Sequence, residues 1–236
     1  WDRTDSLCAL SERPTKLAEC YREMLSREIP KEIEAELCER AAALYEDKLG
    51  DPMGATPYLE KVLQLNPGNE RAFARLKDIL TAAERWSKLE ALYERTSLAT
   101  DDPGRRADML MEVALICEEI IEDAAKATKH YERILEIDPV HDTALRSLDR
   151  LYAPQDRHED LARLLEQRVE TAVGDELLEF KKRLAALFLE RLHRPAAAVD
   201  HIEAVLAEQV NDFEARELAE KLLSIGELRG RAARML

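Results

Sequence analysis

The stretch Arg106–Pro139, RADMLMEVALICEEIIEDAAKATKHYERILEIDP, decides how the rest of the chain is read. Its apolar residues recur at three- and four-residue steps, the spacing of one helix face. Glu122-Asp123 interrupts the pattern in the middle. Asp138-Pro139 ends it, because proline lacks the amide that would continue a helix. The stretch therefore predicts two amphipathic helices joined by a tight turn. In the second helix Ala127 is followed by Tyr131, Ile134, Leu135 and Ile137, and then by Pro139.

Sliding the sequence along itself by about 72 residues brings Leu17, Leu89 and Leu161 together, and Tyr21 with Tyr93 and Leu165. Asp51 meets Asp123, Ala55 meets Ala127, Leu63 meets Leu135 and Pro67 meets Pro139. One residue is lost near Gly174, after which Ala42, Ala114 and Ala185 align, then Leu63, Leu135 and Leu206. A period of about 72 residues is two helical hairpins of about 36 each.

Ala-x3-aromatic with a following proline, in a unit of this length, resembles the second-helix half of the tetratricopeptide (TPR) pattern. The resemblance implies an all-α chain, a right-handed α-α superhelix or solenoid of about six complete TPR-like hairpins plus one partial. Its blocks are a partial N-terminal hairpin over residues 1–30, a four-helix block over 31–102, a second over 103–173, and a third with the C-terminal end over 174–236, all in one continuous repeat domain. Small residues Ala42, Ala114 and Ala185 stand where the family carries Gly or Ala. The sequence departs from the family pattern in two ways: no Trp opens each unit, and the spacing from Ala114 to Ala127 is one residue longer than usual.

Punctuation residues place the individual helices. The first is expected over Trp1–Ser11, with Thr15 capping the next, whose core residues are Leu17, Tyr21, Met24 and Leu25 and which Pro30 ends. A third runs from Lys31 to Leu49, presenting Ile33, Leu37, Ala41, Leu44 and Tyr45 inward and stopped by Gly50. Asp51-Pro52 should start a fourth, but Pro57 predicts an irregular first turn or a start delayed to Thr56. Asn69 caps a fifth over Glu70–Glu84, with Phe73, Leu76 and Leu80 inward, and Trp86–Ala99 is the sixth. Later helices are expected at 103–121, 123–137, 141–153, 157–173, 175–193, 195–208, 211–225 and 227–236. The chain opens at Trp1 in mid-repeat and closes on Met235-Leu236, where a polar capping helix is expected, so it reads as part of a longer repeat-containing chain.

Composition agrees with helices. Only 7 glycines, 4 Phe, 6 Tyr and 2 Trp stand in 236 residues that are 46% hydrophobic, too few turn and strand formers for a sheet protein. A net charge of -14 repels phosphate, so no nucleic acid and no anionic membrane surface is expected as a partner. No apolar run approaches the roughly 20 residues of a bilayer span. Cys8, Cys20, Cys38 and Cys117 show no metal-finger spacing and are expected to pack as free thiols, which points to a cytoplasmic setting.

Motifs that carry chemistry are sparse. No phosphate-binding glycine loop, nucleophile elbow or HExxH is present, and Glu190-x-x-His193 occurs once where a di-metal bundle needs it twice. No catalytic residue, metal or cofactor is expected. In the TPR family the first helix of each hairpin lines the concave face, and on these positions the resemblance projects Glu36, Glu39 and Glu46 from one unit. Asp108, Met111, Glu112 and Glu119 follow from the next, then Lys182 and Arg183. Two acidic sets followed by a basic one favour a peptide of opposite charge order. The lysine, asparagine and arginine clamp by which some family members hold an acidic chaperone tail is absent from these positions. The whole chain looks like long bacterial TPR scaffold arrays, some of which organise motility or envelope machinery or bind small GTPases. The expected role is a non-catalytic scaffold for a protein or peptide partner, a small GTPase or another scaffold component among them. The rival is a sensor or substrate-recognition segment of a larger enzyme.

Overall fold

The computed structural model describes residues 14–236, so the helix expected over Trp1–Ser11 and its Cys8 lie outside the described residues. Thirteen α-helices and no strand occupy what is described. They are α1 (Pro14–Leu25), α2 (Lys31–Asp47), α3 (Pro52–Leu65), α4 (Glu70–Ala82), α5 (Trp86–Leu98), α6 (Pro103–Leu115) and α7 (Ala124–Ile137). Then come α8 (Asp142–Tyr152), α9 (His158–Thr171), α10 (Gly174–Glu190), α11 (Pro195–Glu208), α12 (Phe213–Leu222) and α13 (Arg229–Met235). A π turn, Ile116–Ile120, extends α6, and a 3-10 turn, Ala153–Gln155, extends α8. From α2 onward these pair into six helical hairpins, with α1 ahead of them.

The described chain forms two compact units, one ending at Arg133 and one running Ile134–Leu236. Within each, extensive contacts join a helix to its neighbour or next-but-one neighbour in the chain, as an array of hairpins requires and a closed bundle does not. In the first unit Leu17, Ala18 and Tyr21 of α1 pack on Leu37, Ala41 and Leu44 of α2. Tyr93 and Tyr131 are as deeply buried further along. In the second, Leu148, Leu165, Leu184, Ile202 and Leu218 form the corresponding apolar line.

Close approach inside a hairpin depends on paired alanines. Ala42 and Ala55, Ala114 and Ala127, and Ala185 and Ala198 are all 0% exposed, one of each pair on the first helix and one on the second. The extra residue between these alanines is taken up where the first helix ends. The amides of Leu49, Ile121 and Leu192 bond back five residues, to the carbonyls of Leu44, Ile116 and Leu187. Those of Asp51, Asp123 and Arg194 bond back six, to Tyr45, Cys117 and Phe188. Such wide turns absorb one residue without breaking the hairpin. In α4 and α8 the corresponding closure is one residue tighter, Arg85 to Leu80 and Arg157 to Tyr152.

Each closure needs one residue in the left-handed conformation: Gly50, Glu122 and His193 for the wide form, Glu84 and Asp156 for the tight one. Only the first uses glycine, the residue with no Cβ to oppose a positive φ.

Several details differ from the sequence expectation. Thr15 lies inside α1 rather than capping it. α3 starts at Pro52 with no delay: the Asp51 carboxylate accepts from the Gly54 amide at 3.0 Å. Pro57 is tolerated because the Met53 carbonyl, which loses its amide donor to the proline ring, accepts from the Thr56 hydroxyl at 2.9 Å. Ile33 is 45% exposed, since periodicity assigns a face but burial needs a neighbour at that level of the helix. Tyr45 and Phe73 are half-buried. Helix ends fall one to three residues short of the expected bounds in α2, α5, α10 and α12, where the last turn frays into the closure or the capping residue was counted as helix.

The left-handed positions give a direct test. Glu122→Gly should raise unfolding free energy by about 0.5–1 kcal/mol, and Gly50→Ala should lower it by about 1 kcal/mol. A Cβ at residue 50 meets nothing within 4 Å, so the loss reports backbone strain alone. Urea melts of the two variants against the parent chain measure both.

Candidate functional site

Glu36, Glu39 and Glu46 stand on α2, Asp108, Met111 and Glu112 on α6, Glu119 on the π turn after it, and Lys182 and Arg183 on α10. The acidic sets thus belong to the first unit and the basic pair to the second. Within the first unit, α2, α4 and α6 are successive first helices, and their charges are stitched together. The Arg75 guanidinium on α4 donates to both oxygens of Glu46, at 2.8 and 3.2 Å. Asn69, which caps α4 by accepting from the Ala72 amide, donates to Glu39 at 2.8 Å. Arg105 on α6 pairs with Glu70 on α4 at 2.5 Å. Among the described residues Glu36 is paired only within its own helix, with Arg40.

Glu112 is the most engaged of the set. Lys77 on α4 reaches it at 2.6 Å, and the Tyr93 hydroxyl on α5 donates to the same oxygen. The Lys77 ammonium also lies 5.7 Å from the Tyr93 ring centre, and Phe73 meets that ring edge-on at 5.3 Å. Burial alone would raise the Glu112 pKa, but the Lys77 and Tyr93 hydrogen bonds outweigh it and hold the carboxylate below its usual range. Burial, with the Glu112 bond added, pushes the Tyr93 phenol up to about 12.

In the second unit the pattern repeats between α8, α10 and α12. Arg183 forks onto both oxygens of Asp149 at 2.5 and 2.8 Å. Lys182 lies 3.1 Å from Asp212, the cap of α12, and 3.0 Å from Glu179. Lys221 on α12 returns to Glu190 on α10 at 2.7 Å. Second helices are joined likewise, Arg194 to Glu159 and Arg231 to Glu203. Each exposed pair contributes roughly 0.2–1 kcal/mol, so their collective effect is on register more than on gross stability.

Sequence reasoning missed the counter-charges Arg75, Lys77, Asp149 and Asp212 and the neutral donor Asn69, all on or capping the first helices of the intervening hairpins. The signal was present: opposite charges recur about one hairpin apart, as in Glu46 and Arg75 or Asp149 and Arg183. Against this background Asp108 and Glu119 are exposed and have no ion-pair partner among the described residues. They flank half-buried Met111 and exposed Leu115, and Asp108, Met111 and Leu115 share one helix face.

A separate cluster could hold a metal: Glu90 on α5, Cys117 in the π turn and His130 on α7 present ligand atoms within 4.8 Å of one another. No described helix is long and apolar enough to cross a membrane.

No family profile matches the sequence, and no curated protein does. Solved structures do. One described as Naa15/Naa10 bound to HypK-THB matches over 99% of this chain at 14% identity with a TM-score of 0.50. The fold is that of a TPR-like helical-repeat protein. The chain spans about a third, 35%, of the length of that matched chain. A tetratricopeptide repeat protein from Parabacteroides merdae matches over 86% of this chain and 77% of its own, at 17% identity and a TM-score of 0.38. A thermophilic TPR protein of Thermus thermophilus matches over 82% and 100%, at 17% identity and 0.33.

The depressed Glu112 pKa makes its contribution to stability pH-dependent. A carboxylate that ionises more readily folded than unfolded stabilises the fold above its unfolded pKa of about 4.3 and loses that contribution as pH falls through the folded value. Glu112→Gln should therefore be less stable than the parent chain at pH 7, with the gap closing progressively below about pH 4. Thermal melts of both across pH 3–7 would show a constant gap if Lys77 and Tyr93 did not favour the ionised form.

Proposed function

We propose that this chain is a non-catalytic interaction scaffold that holds a protein or peptide partner against the first helices of its hairpins. One observation carries the reading: the uneven commitment of charge on those helices. Glu46, Glu112, Lys182 and Arg183 are engaged by neighbouring helices and serve the array. Asp108 and Glu119 are not, and between them lie Met111 and Leu115. Half-buried Met111 and exposed Leu115 with a carboxylate to either side suit an amphipathic segment carrying basic residues, and the net charge of -14 would steer such a partner in.

The matched structure of like fold, Naa15/Naa10 bound to HypK-THB, is an assembly of proteins, which supports the same general use here. A small GTPase or a further scaffold component, in the cytoplasm, is the partner class that the likeness to bacterial arrays adds to this reading.

Affinity capture with the chain as bait, compared with an Asp108→Lys/Glu119→Lys variant, tests it. Glu112 is unsuited to the purpose because reversing it would also break the Lys77 and Tyr93 contacts. The double variant should lose captured partner by at least about tenfold, the weight of roughly 1.4 kcal/mol or more from two reversed charges. Undiminished capture at physiological salt removes α6 as the binding face.

A further inference from the structure

The internal repeat permits a comparison of one core position across three copies. With a period of about 72 residues, Glu90 of α5 corresponds to Ala18 and Ala162. Cys117 corresponds to Tyr45 and Phe188, and His130 to Tyr58 and His201. The node has the same construction each time, because the six-residue closure starts at the carbonyl of Tyr45, Cys117 or Phe188. In the first copy the Tyr45 and Tyr58 rings lie 5.4 Å apart, and in the third Phe188 and His201 lie 6.1 Å apart. Ala18, in the cluster on which Tyr45 and Tyr58 pack, and Ala162 are buried at 4% and 3% exposure. The middle copy alone puts a carboxylate, a thiol and an imidazole at this node.

We infer that Glu90, Cys117 and His130 form a binding site for one divalent transition-metal ion, zinc by its donor chemistry. The three are on different elements and all are buried, at 9%, 0% and 3% exposure. Their ligand atoms already lie within 4.8 Å of one another. Donors around a tetrahedral zinc stand about 3.5 Å apart, so side-chain movements of about 1 Å close the site.

The polar groups are poorly satisfied without an ion. His130 Nδ1 is buried and has no hydrogen-bond partner. Its Nε2 is 3.8 Å from Glu90 Oε1, beyond hydrogen-bond length. Lys126 holds the other oxygen of Glu90 at 2.7 Å and leaves Oε1 turned toward the imidazole. A volume exchange within the core would not by itself turn a carboxylate toward an imidazole where the other copies have alanine, and Lys126 occupies only one of the Glu90 oxygens.

Sulfur, nitrogen and oxygen donors together select zinc over calcium or magnesium, which take oxygen sets. The field is also suitable: Glu90, Glu94 and Asp123 face Lys126 and Arg133 around the node, three carboxylates against two cations. On binding, the Cys117 Sγ–H bond breaks, the proton leaves to solvent and the sulfur lone pair bonds to the ion, so affinity falls as pH falls. The ion would clip α5, the π turn and α7 together, with water in the remaining coordination position.

Cobalt(II) and zinc(II) titrations of the chelator-stripped chain test the site. One equivalent of cobalt should bind with a thiolate-to-cobalt charge-transfer band, present in the parent chain and in Cys38→Ala, absent in Cys117→Ala. Zinc at about 100 times its Kd should raise the Tm of the parent chain by roughly 5–10 °C. Glu90→Gln and His130→Phe should lose most of that rise while keeping helical circular dichroism. No band and no shift in the parent chain overturns the inference, whatever the variants do. A band that survives Cys117→Ala and is lost in Cys38→Ala assigns the sulfur elsewhere and overturns it as well.

Discussion

The packing of one helix against the next through paired alanines is the constraint on which the rest of this structure depends. Ala42 and Ala55, Ala114 and Ala127, and Ala185 and Ala198, one on each helix of a hairpin, are fully buried and each brings only a methyl group to the interior. The backbones can then approach closely enough for larger residues to either side, such as Leu37 and Leu59 in the first copy, to be fully covered. A hairpin closed this way still has apolar surface on its other faces, and the next hairpin covers it. Tyr93 shows the consequence: its ring is buried between elements that flank it in the chain, and its hydroxyl reaches across to Glu112 of the following helix.

Because contacts run only to near neighbours, register has to be set locally and repeatedly. Two devices do so. The closures at Gly50, Glu122 and His193 fix where each long first helix stops, and the wide turn holds the additional residue at one defined place. The ion pairs between alternate helices then fix how one hairpin is set against the next. Arg75 forked on Glu46 and Arg183 forked on Asp149 have the geometry that penalises a slip of one residue, since a guanidinium displaced by one helical position loses both bonds. Salt bridges that contribute little to total stability can still choose among alternative alignments of similar apolar burial.

Helical punctuation and period were legible in the sequence almost throughout, for a physical reason: capping aspartates and first-turn prolines act locally, and a repeat shows each of them more than once. Asn69 caps the helix expected of it, and Asp51-Pro52 starts the preceding one as its sequence indicates. What the sequence concealed was satisfaction at a distance. Pro57 was readable as a helix breaker because its missing amide is a property of one residue, whereas the Thr56 hydroxyl that compensates the Met53 carbonyl depends on a rotamer. The charged residues of α2, α6 and α10 were readable as a solvent-facing row, but which of them are engaged depends on side chains one hairpin away. Glu112 and Glu119 are both exposed glutamates near the end of the same helix, yet only Glu112 lies opposite a lysine and a tyrosine.

A chain built this way also tolerates unusual chemistry at a single node. In a closed core, replacing an alanine by a glutamate and an aromatic ring by a cysteine would disturb packing on every side. In an array the same exchange is felt by the hairpin that carries it and by its immediate neighbours. The larger Glu90 side chain and the smaller Cys117 offset one another in volume, and the backbone closure of the node is unchanged, with Asp123 still bonded to the Cys117 carbonyl at 2.9 Å. The three copies are thus equivalent as scaffolding and different as chemistry. The other two copies have Ala18 or Ala162 where this one has Glu90, and an aromatic ring where it has Cys117, while His201 shows that the fold accepts an imidazole at the position of His130.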